Sequence, residues 1–262
     1  MNELLNFSQA QVYTALLLVC RISGLLIALP VFGDSPTPVR IRIFLAITLS
    51  IVMWPILPPH WGPEESGTLV GLAAMAFGEV LVGLIIGFFS KLVFAGLVMA
   101  ASLVGYQMGF GTSSLIVPDA GGQMDAFSAF HRIVIMLIFL SLNLHHIFFS
   151  ALAFSFKAIP AGGISISSNI GEQLIISSAA IFSIAVQLAA PIIIALLFTM
   201  AALGLVARVV PQMNVFTMSF PFSFCIGLLI YIASMPFYPN AIVKYFDHVG
   251  ADLKTVVMGL KG

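Results

Sequence analysis

Read from one charge to the next, the chain divides into long apolar runs. After Glu3 it is uncharged up to Arg21, and again from there to Asp34. Residues 43–63 carry no charge, with the most helix-like part at 43–57. Residues 66–90 are interrupted only by Glu79, and 92–118 and 133–156 are uncharged. Two further runs, 173–207 and 209–243, have 35 residues each. A helix that crosses a bilayer needs about 20 apolar residues, so each long run can hold one tilted span and an adjoining turn. The pattern predicts an all-α, membrane-type protein with six or seven apolar helices. Pro191 and Pro221 fall inside the two longest runs and predict kinked or broken helices there.

The breaks are readable as well. Gly33-Asp34-Ser35-Pro36-Thr37-Pro38 and Pro58-Pro59-His60-Trp61-Gly62-Pro63 are turn clusters, and 118–125 reads as a polar loop. Residues 160–171 form the longest segment of low hydrophobicity and the one plausible internal boundary. Within it, Asn169 followed by Glu172 resembles a capping box, which predicts a helix starting near Ile170. No repeat of fixed period is visible. With seven spans, Arg40, Arg42, Lys91, Lys157, Lys244, Lys254 and Lys261 fall on one side, and Arg132 and Arg208 on the other. The positive-inside rule then puts the N-terminus outside and the C-terminus in the cytoplasm.

Composition sharpens this picture. Of the 262 residues 60% are hydrophobic and 8% charged, against about 25% charged in a typical soluble domain. With a mean hydropathy of +1.13, a soluble enzyme is effectively excluded. Ten basic residues balance ten acidic ones, so no net field recruits nucleic acid. Cys20 and Cys225 lie inside apolar runs and read as small buried hydrophobes. The first residues carry no basic n-region and no small-residue cleavage site, so the first apolar run reads as a retained helix.

Charges at membrane depth come first among residues that could carry chemistry, because each is costly in lipid. Arg21 lies about halfway along the first span. Glu79, Gly83, Gly87 and Lys91 recur every four residues and share one helix face, where Gly83 and Gly87 admit a second backbone. Glu79 reads either as a proton or ion site or as a residue paired across a helix contact, with Arg21 the candidate partner. Gly105-Tyr106-Gln107-Met108-Gly109-Phe110-Gly111-Thr112 packs three glycines into eight residues. It reads either as a loop lining a pathway, with Met108 and Phe110 as an apolar constriction, or as a helix packed through Gly105 and Gly109. Gly111-Thr112-Ser113-Ser114 superficially suits a serine hydrolase with His131 or His145 as base, but no third group is evident. His145 and His146 are adjacent and point different ways on a helix, which is wrong for a shared metal. No catalytic residue, metal or cofactor is implied.

Taken together, several of these residues carry a family resemblance. Arg208, Pro211, Gln212, Asn214 and Phe216, followed by Phe220-Pro221 and Gly227, closely resemble the R-x-x-P-Q-x-N-x-F…F-P…G signature of the FliR/SctT family of bacterial export-gate proteins. Pro30-Val31-Phe32 with Pro36 to Arg40, and Gly78-Glu79 with Gly83, Gly87 and Phe88, look like that family's first half. Gln107-Met108-Gly109-Phe110 matches its Q-M-G motif, and Asn143, His145-His146, Ser155-Phe156 and Pro160 resemble its N-G-H-H…S-F…P-x-G stretch. Leu144 stands where the family often has Gly, and the family's Asp-Pro is inverted here as Pro118-Asp119.

The resemblance implies a non-enzymatic core subunit of a flagellar type III protein export gate, in the bacterial inner membrane at the flagellar basal body. It implies FliP-type, FliQ-type and FlhB-type partners besides membrane lipid, with unfolded polypeptides as the exported substrate. It implies helices packed as hairpins within a helical hetero-oligomer: a FliP-like part at 1–157, a connection at 158–171, and a FliQ-like hairpin with a tail at 172–262. It assigns Gly105, Gln107, Met108, Gly109, Phe110 and Gly111 to a channel plug. It assigns Glu79, Gly83, Gly87, Arg208, Pro211, Gln212, Asn214, Phe216 and Pro221 to subunit packing and assembly. A small-molecule transporter or ion channel using Glu79 and Arg21 is the competing reading.

Overall fold

The computed structural model describes residues 9–30, 32–33, 37–58, 61–62, 68–110, 126–165, 169–210 and 214–261. Among them the regular structure is helical: α1 Gln9–Ala28, α2 Val39–Met53, α3 Leu69–Gln107, α4 Ala126–Ser141, α5 His145–Ala158, α6 Asn169–Val209, α7 Val215–Ser234 and α8 Tyr238–Gly259. Short 3-10 turns with a proline near their start, Trp54–Ile56 and Met235–Phe237, follow α2 and α7. Two starts are closed by side chains. The Gly71 N–H donates to Thr68 Oγ1 (3.1 Å) ahead of α3, and the Thr217 N–H donates to Asn214 Oδ1 (3.3 Å) at α7. The helix expected to start near Ile170 is found, since α6 begins at Asn169.

Five helical segments are long and apolar enough to cross a membrane, or six when α4 and α5 are taken as one broken span. The main difference from the charge-to-charge reading lies at Lys91. Residues 66–90 and 92–118 do not form separate helices; α3 runs through Lys91 for 39 residues. A single charge does not end a helix, because the backbone hydrogen bonds continue past it, and the Lys91 side chain is exposed. Lys91 is therefore no loop residue, and the orientation that counted it among loop charges loses that support. Likewise α6 and α7 continue through Pro191 and Pro221, both exposed. Each proline removes one N–H donor, and the flanking turns hold the helix together. The chain breaks instead at 142–144, where Asn143 has φ 55°, a left-handed conformation that Asn tolerates better than most residues.

By packing, the chain forms two compact units, neither continuous in sequence. The first comprises Met1–Leu92, Asn143–Ser178 and Phe246–Gly262; the second comprises Val93–Leu142 and Ala179–Tyr245. Both draw on residues from each side of 158–171.

In the first unit Leu17, Leu18, Ile22, Leu25, Val82, Ile86, Phe89, Phe148, Leu152 and Phe246 are fully buried. Here α1 and α3 meet backbone to backbone. A Cβ on Gly83 would meet the Arg21 carbonyl and the Leu25 nitrogen, and one on Gly87 would lie 2.5 Å from Ala28 Cβ and 2.8 Å from the Leu25 carbonyl. Without a hydrophobic effect between helices in lipid, such close approach supplies the attraction. In the second unit Phe94 and Phe139 meet edge to face at 5.1 Å, and Val104, Ile135, Ala185, Ala189 and Leu196 are buried.

The outer faces are apolar too. Phe44, Leu69, Phe198 and Phe237 are each more than 70% exposed. Apolar surface on this scale requires lipid or other protein around it.

The glycine contacts yield a paired expectation. Gly83→Val forces α1 and α3 apart and is expected to cost about 1–3 kcal/mol or more in the detergent-purified protein. At Gly204 nothing lies within 4 Å of an added Cβ. Gly204→Ala is expected to leave stability unchanged or raise it by up to about 1 kcal/mol. Thermal unfolding followed by circular dichroism compares the two.

Candidate functional site

The first unit buries a charged cluster among mostly apolar side chains. Arg21, in the middle of α1, is completely buried, and Glu79 of α3 is 2% exposed. Arg21 Nε donates to Glu79 Oε2 at 2.5 Å. Its remaining nitrogens reach Ser155 Oγ (3.2 Å) near the end of α5 and the Ile159 carbonyl (3.4 Å) just beyond it. The other carboxylate oxygen of Glu79 accepts the Gly162 N–H at 2.9 Å. The guanidinium also lies over the Trp61 and Phe156 rings, 5.2 and 4.9 Å from their centroids, and these two rings meet edge to face. Trp61 is fixed in turn: its Nε1 donates to the Ile159 carbonyl (3.1 Å) and its own carbonyl accepts the Ala161 N–H (3.2 Å).

Of the two sequence readings of Glu79, this geometry has the pairing across a helix contact, and Arg21 is the partner. Each charge is met by an opposite charge and by further hydrogen bonds, as a buried pair requires. The cluster also brings together pieces the sequence scatters: Glu79, Ser155-Phe156, and the turn after Pro160, where Gly162 has φ 71°. The Trp61 contact was not foreseen. Its signal was a lone tryptophan among prolines, a composition that reads only as a turn.

The second unit holds the glycine-rich segment. Gly105 and Gln107 belong to the last turn of α3 and residues 108–110 form a turn, so neither sequence reading describes it fully. The Phe110 N–H donates to the Gly105 carbonyl (3.0 Å) and the Gly109 N–H to the Tyr106 carbonyl (3.1 Å). This is the Schellman pattern, with Gly109 (φ 94°) at its left-handed position. Glycine is required there twice over, since a Cβ would also lie 2.6 Å from the Phe220 ring. Met108 is fully buried, packed where Gly227 of α7 leaves room. The Phe110 ring lies 6.2 Å from Phe127 and 5.7 Å from Phe224. Phe127 leads on to Tyr231 (5.0 Å), whose hydroxyl is hydrogen-bonded to His131 Nδ1 (2.8 Å). The α7 side of this seat (Phe220, Phe224, Gly227, Tyr231) follows helical spacing along one face.

The other expected residues are placed as follows. Arg208 occupies the last turn of α6, where a cation complements the helix dipole. Asn214 caps α7, and Pro221 lies exposed within that helix. Gly111, Pro211, Gln212, the side chain of Phe216 and the Gly111-Thr112-Ser113-Ser114 motif lie outside the described residues. His145 and His146 open α5 with ring centroids 4.5 Å apart and edge to face. Among the described residues no group of three or more His, Cys, Asp or Glu is placed to hold a metal.

Helices of this length and apolarity around a sealed ion pair define an all-α, multi-helix membrane protein. The chain matches the model of the bacterial export proteins, family 1, over residues 12–249, and it belongs to that family. It is 32% identical to the flagellar biosynthetic protein FliR of Bacillus subtilis (strain 168) over 227 residues, covering 84% of this chain and 85% of that one. It is 30% identical over 228 residues to FliR of Caulobacter vibrioides, covering 86% and 89%. With FliR of Escherichia coli (strain K12) it shares 28% over 233 residues, covering 89% and 87%.

The ion pair generates a double-mutant test. Arg21→Met or Glu79→Leu alone strands a buried charge and is expected to cost about 3–5 kcal/mol. The double variant is expected to recover most of this, though not all, because the Gly162 N–H loses its acceptor. Thermal unfolding of the purified variants measures it, and fully additive losses would show that the two residues are not coupled.

Proposed function

We propose that this chain is a core, non-enzymatic subunit of a flagellar type III protein export gate, resident in the inner membrane at the basal body. On this reading it assembles with FliP-type and FliQ-type subunits and an FlhB-type protein, and helps unfolded flagellar polypeptides through. Family membership supports an export role, and the flagellar assignment follows the FliR names of its relatives. The sequence division at 158–171, a FliP-like part before it and a FliQ-like hairpin after it, belongs to the same proposal.

The observation that carries the gating part is the turn at 108–110. Met108 and Phe110 are bulky and apolar, and they rest against Phe127, Phe224 and the small residue Gly227. A seal made of such contacts excludes ions without a polar ring and yields to a passing chain, because its side chains break no strong hydrogen bond on moving. The competing reading, a transporter or ion channel, needs a charge free to bind cargo. Glu79 and Arg21 are committed to one another, which favours the gate subunit.

Two experiments test this. Deleting residues 108–111, or Phe110→Gly, is expected to leave the complex assembled while cells become leaky to small ions and solutes. An assembled complex as tight as the parent would refute the seal. Pro211→Leu, in the Arg208 to Phe216 segment, is expected to lower the yield of assembled complex isolated through a tagged subunit. Normal yield with export lost would move that segment from assembly to transport itself.

A further inference from the structure

We propose that the hydrogen bond between His131 of α4 and Tyr231 of α7 is a clamp that sets the width of the seat in which the 108–110 turn rests. His131 and Tyr231 are then positioning residues for the seal, a role that rests on the gate reading above.

The seat has two walls within the second unit. Phe127 of α4 meets the Phe110 ring at 6.2 Å, and Phe224 of α7 meets it at 5.7 Å. Gly227, also of α7, makes room for Met108. Ring contacts over about 5 to 7 Å tolerate tilting and sliding, so they do not fix the distance between the two helices. A hydrogen bond does. The Tyr231 hydroxyl and His131 Nδ1 lie 2.8 Å apart. His131 follows Phe127 by four residues, and Tyr231 follows Gly227 by four. The clamp therefore joins the walls one helical turn, about 6 Å, beyond the residues that hold the turn. The helix that carries the turn is tied in the same manner. Ser102 Oγ of α3 lies 3.1 Å from Ser128 Oγ of α4, three residues before His131.

Ser128, His131 and Tyr231 are at most 2% exposed. An apolar pair could join α4 to α7 without the cost of desolvating an imidazole and a phenol, so packing alone gives no reason for these two side chains. What they add is direction. The Tyr231 ring is steadied by Phe127 (5.0 Å), Phe130 (6.4 Å) and Tyr238 (6.0 Å), and Tyr238 also meets the His131 ring edge to face at 5.3 Å. A passing chain can lift Met108 and Phe110 off the seat while the clamp holds α4 and α7 together. The empty seat keeps its shape, and the turn returns to it.

The test reads the reactivity of a buried thiol in the protein purified with whatever subunits accompany it. Cys20 and Cys225 are replaced by Ala, and one reporter is added at a time. Val104→Cys lies under the turn, since the Val104 carbonyl accepts the Met108 N–H; Val93→Cys lies three turns earlier in α3, and both valines are 2% exposed. Tyr231→Phe and His131→Leu are each expected to speed modification by N-ethylmaleimide at position 104 about ten-fold and to leave position 93 unchanged. His131→Asn, whose amide group stands where Nδ1 stood, is expected to keep the parent rate. Cells carrying Tyr231→Phe are expected to leak small ions. Parent rates at position 104 in both Tyr231→Phe and His131→Leu would overturn the clamp. So would equal acceleration at position 93, which would mean general loosening, or a His131→Asn rate as fast as that of His131→Leu. The thiol rates involve neither export nor conductance, which separates the two readings. Unmoved rates with a leak on deleting residues 108–111 would sink the clamp alone. Accelerated rates with ion-tight cells after that deletion would sink the seal and leave the clamp standing.

Discussion

A guanidinium and a carboxylate enclosed in an apolar interior must satisfy each other, and that requirement organises the first unit. Among the described residues Glu79 is the carboxylate that meets Arg21, so α3 must present it there. The second carboxylate oxygen and the two outer guanidinium nitrogens then call for a hydroxyl, a carbonyl and an N–H. Ser155, Ile159 and Gly162 provide them. The turn after α5 is thereby tied to two helices far away in sequence, and Trp61 closes the aromatic side. Burying a charge pair gives little net stability, because desolvation offsets the attraction. What it gives is uniqueness of register: sliding α1 by one residue against α3 would strand two charges in an apolar medium.

The glycines of α3 make that register reachable. Gly83 and Gly87 follow Glu79 at one-turn intervals, and each admits the backbone of α1. Close approach and ion pairing are thus two consequences of one helix face, the first non-directional and the second specific. The second unit uses glycine differently. Gly109 turns the chain at the end of α3, and Gly227 makes room for Met108. The contacts there are aromatic and thioether packing, which many side-chain arrangements can satisfy. One region is locked by charge, and the other is held by soft contacts.

How much of this was legible depended on how local the cause was. Helix class, the start at Asn169 and the turn glycines follow from residues next to one another. The continuity of α3 through Lys91 was not legible from charge spacing, because a charge marks where lipid ends and not where a helix ends. Nor was the continuity of α6 and α7 through Pro191 and Pro221, since a proline removes one hydrogen bond and leaves the decision to the turns on either side. Contacts between residues 58 or more apart in the sequence were harder still. Glu79 with Arg21 could be named as a candidate pair because both are charges inside apolar runs, while Ser155, Ile159 and Trp61 around it could not.

By itself, then, the sequence determined that this is an all-α membrane protein of the bacterial export family. That follows because hydropathy over 20-residue windows and the order of short motifs are properties of the chain alone. Tertiary structure decided which charges neutralise each other, which glycines face backbone and which face open space, and where the 108–110 turn rests. Gly83 and Gly204 look alike in the sequence, each a glycine in an apolar helix. Only the presence of Arg21 and Leu25 beside one, and of nothing within 4 Å of the other, separates them. Such facts depend on distance in space, which the order of residues does not carry.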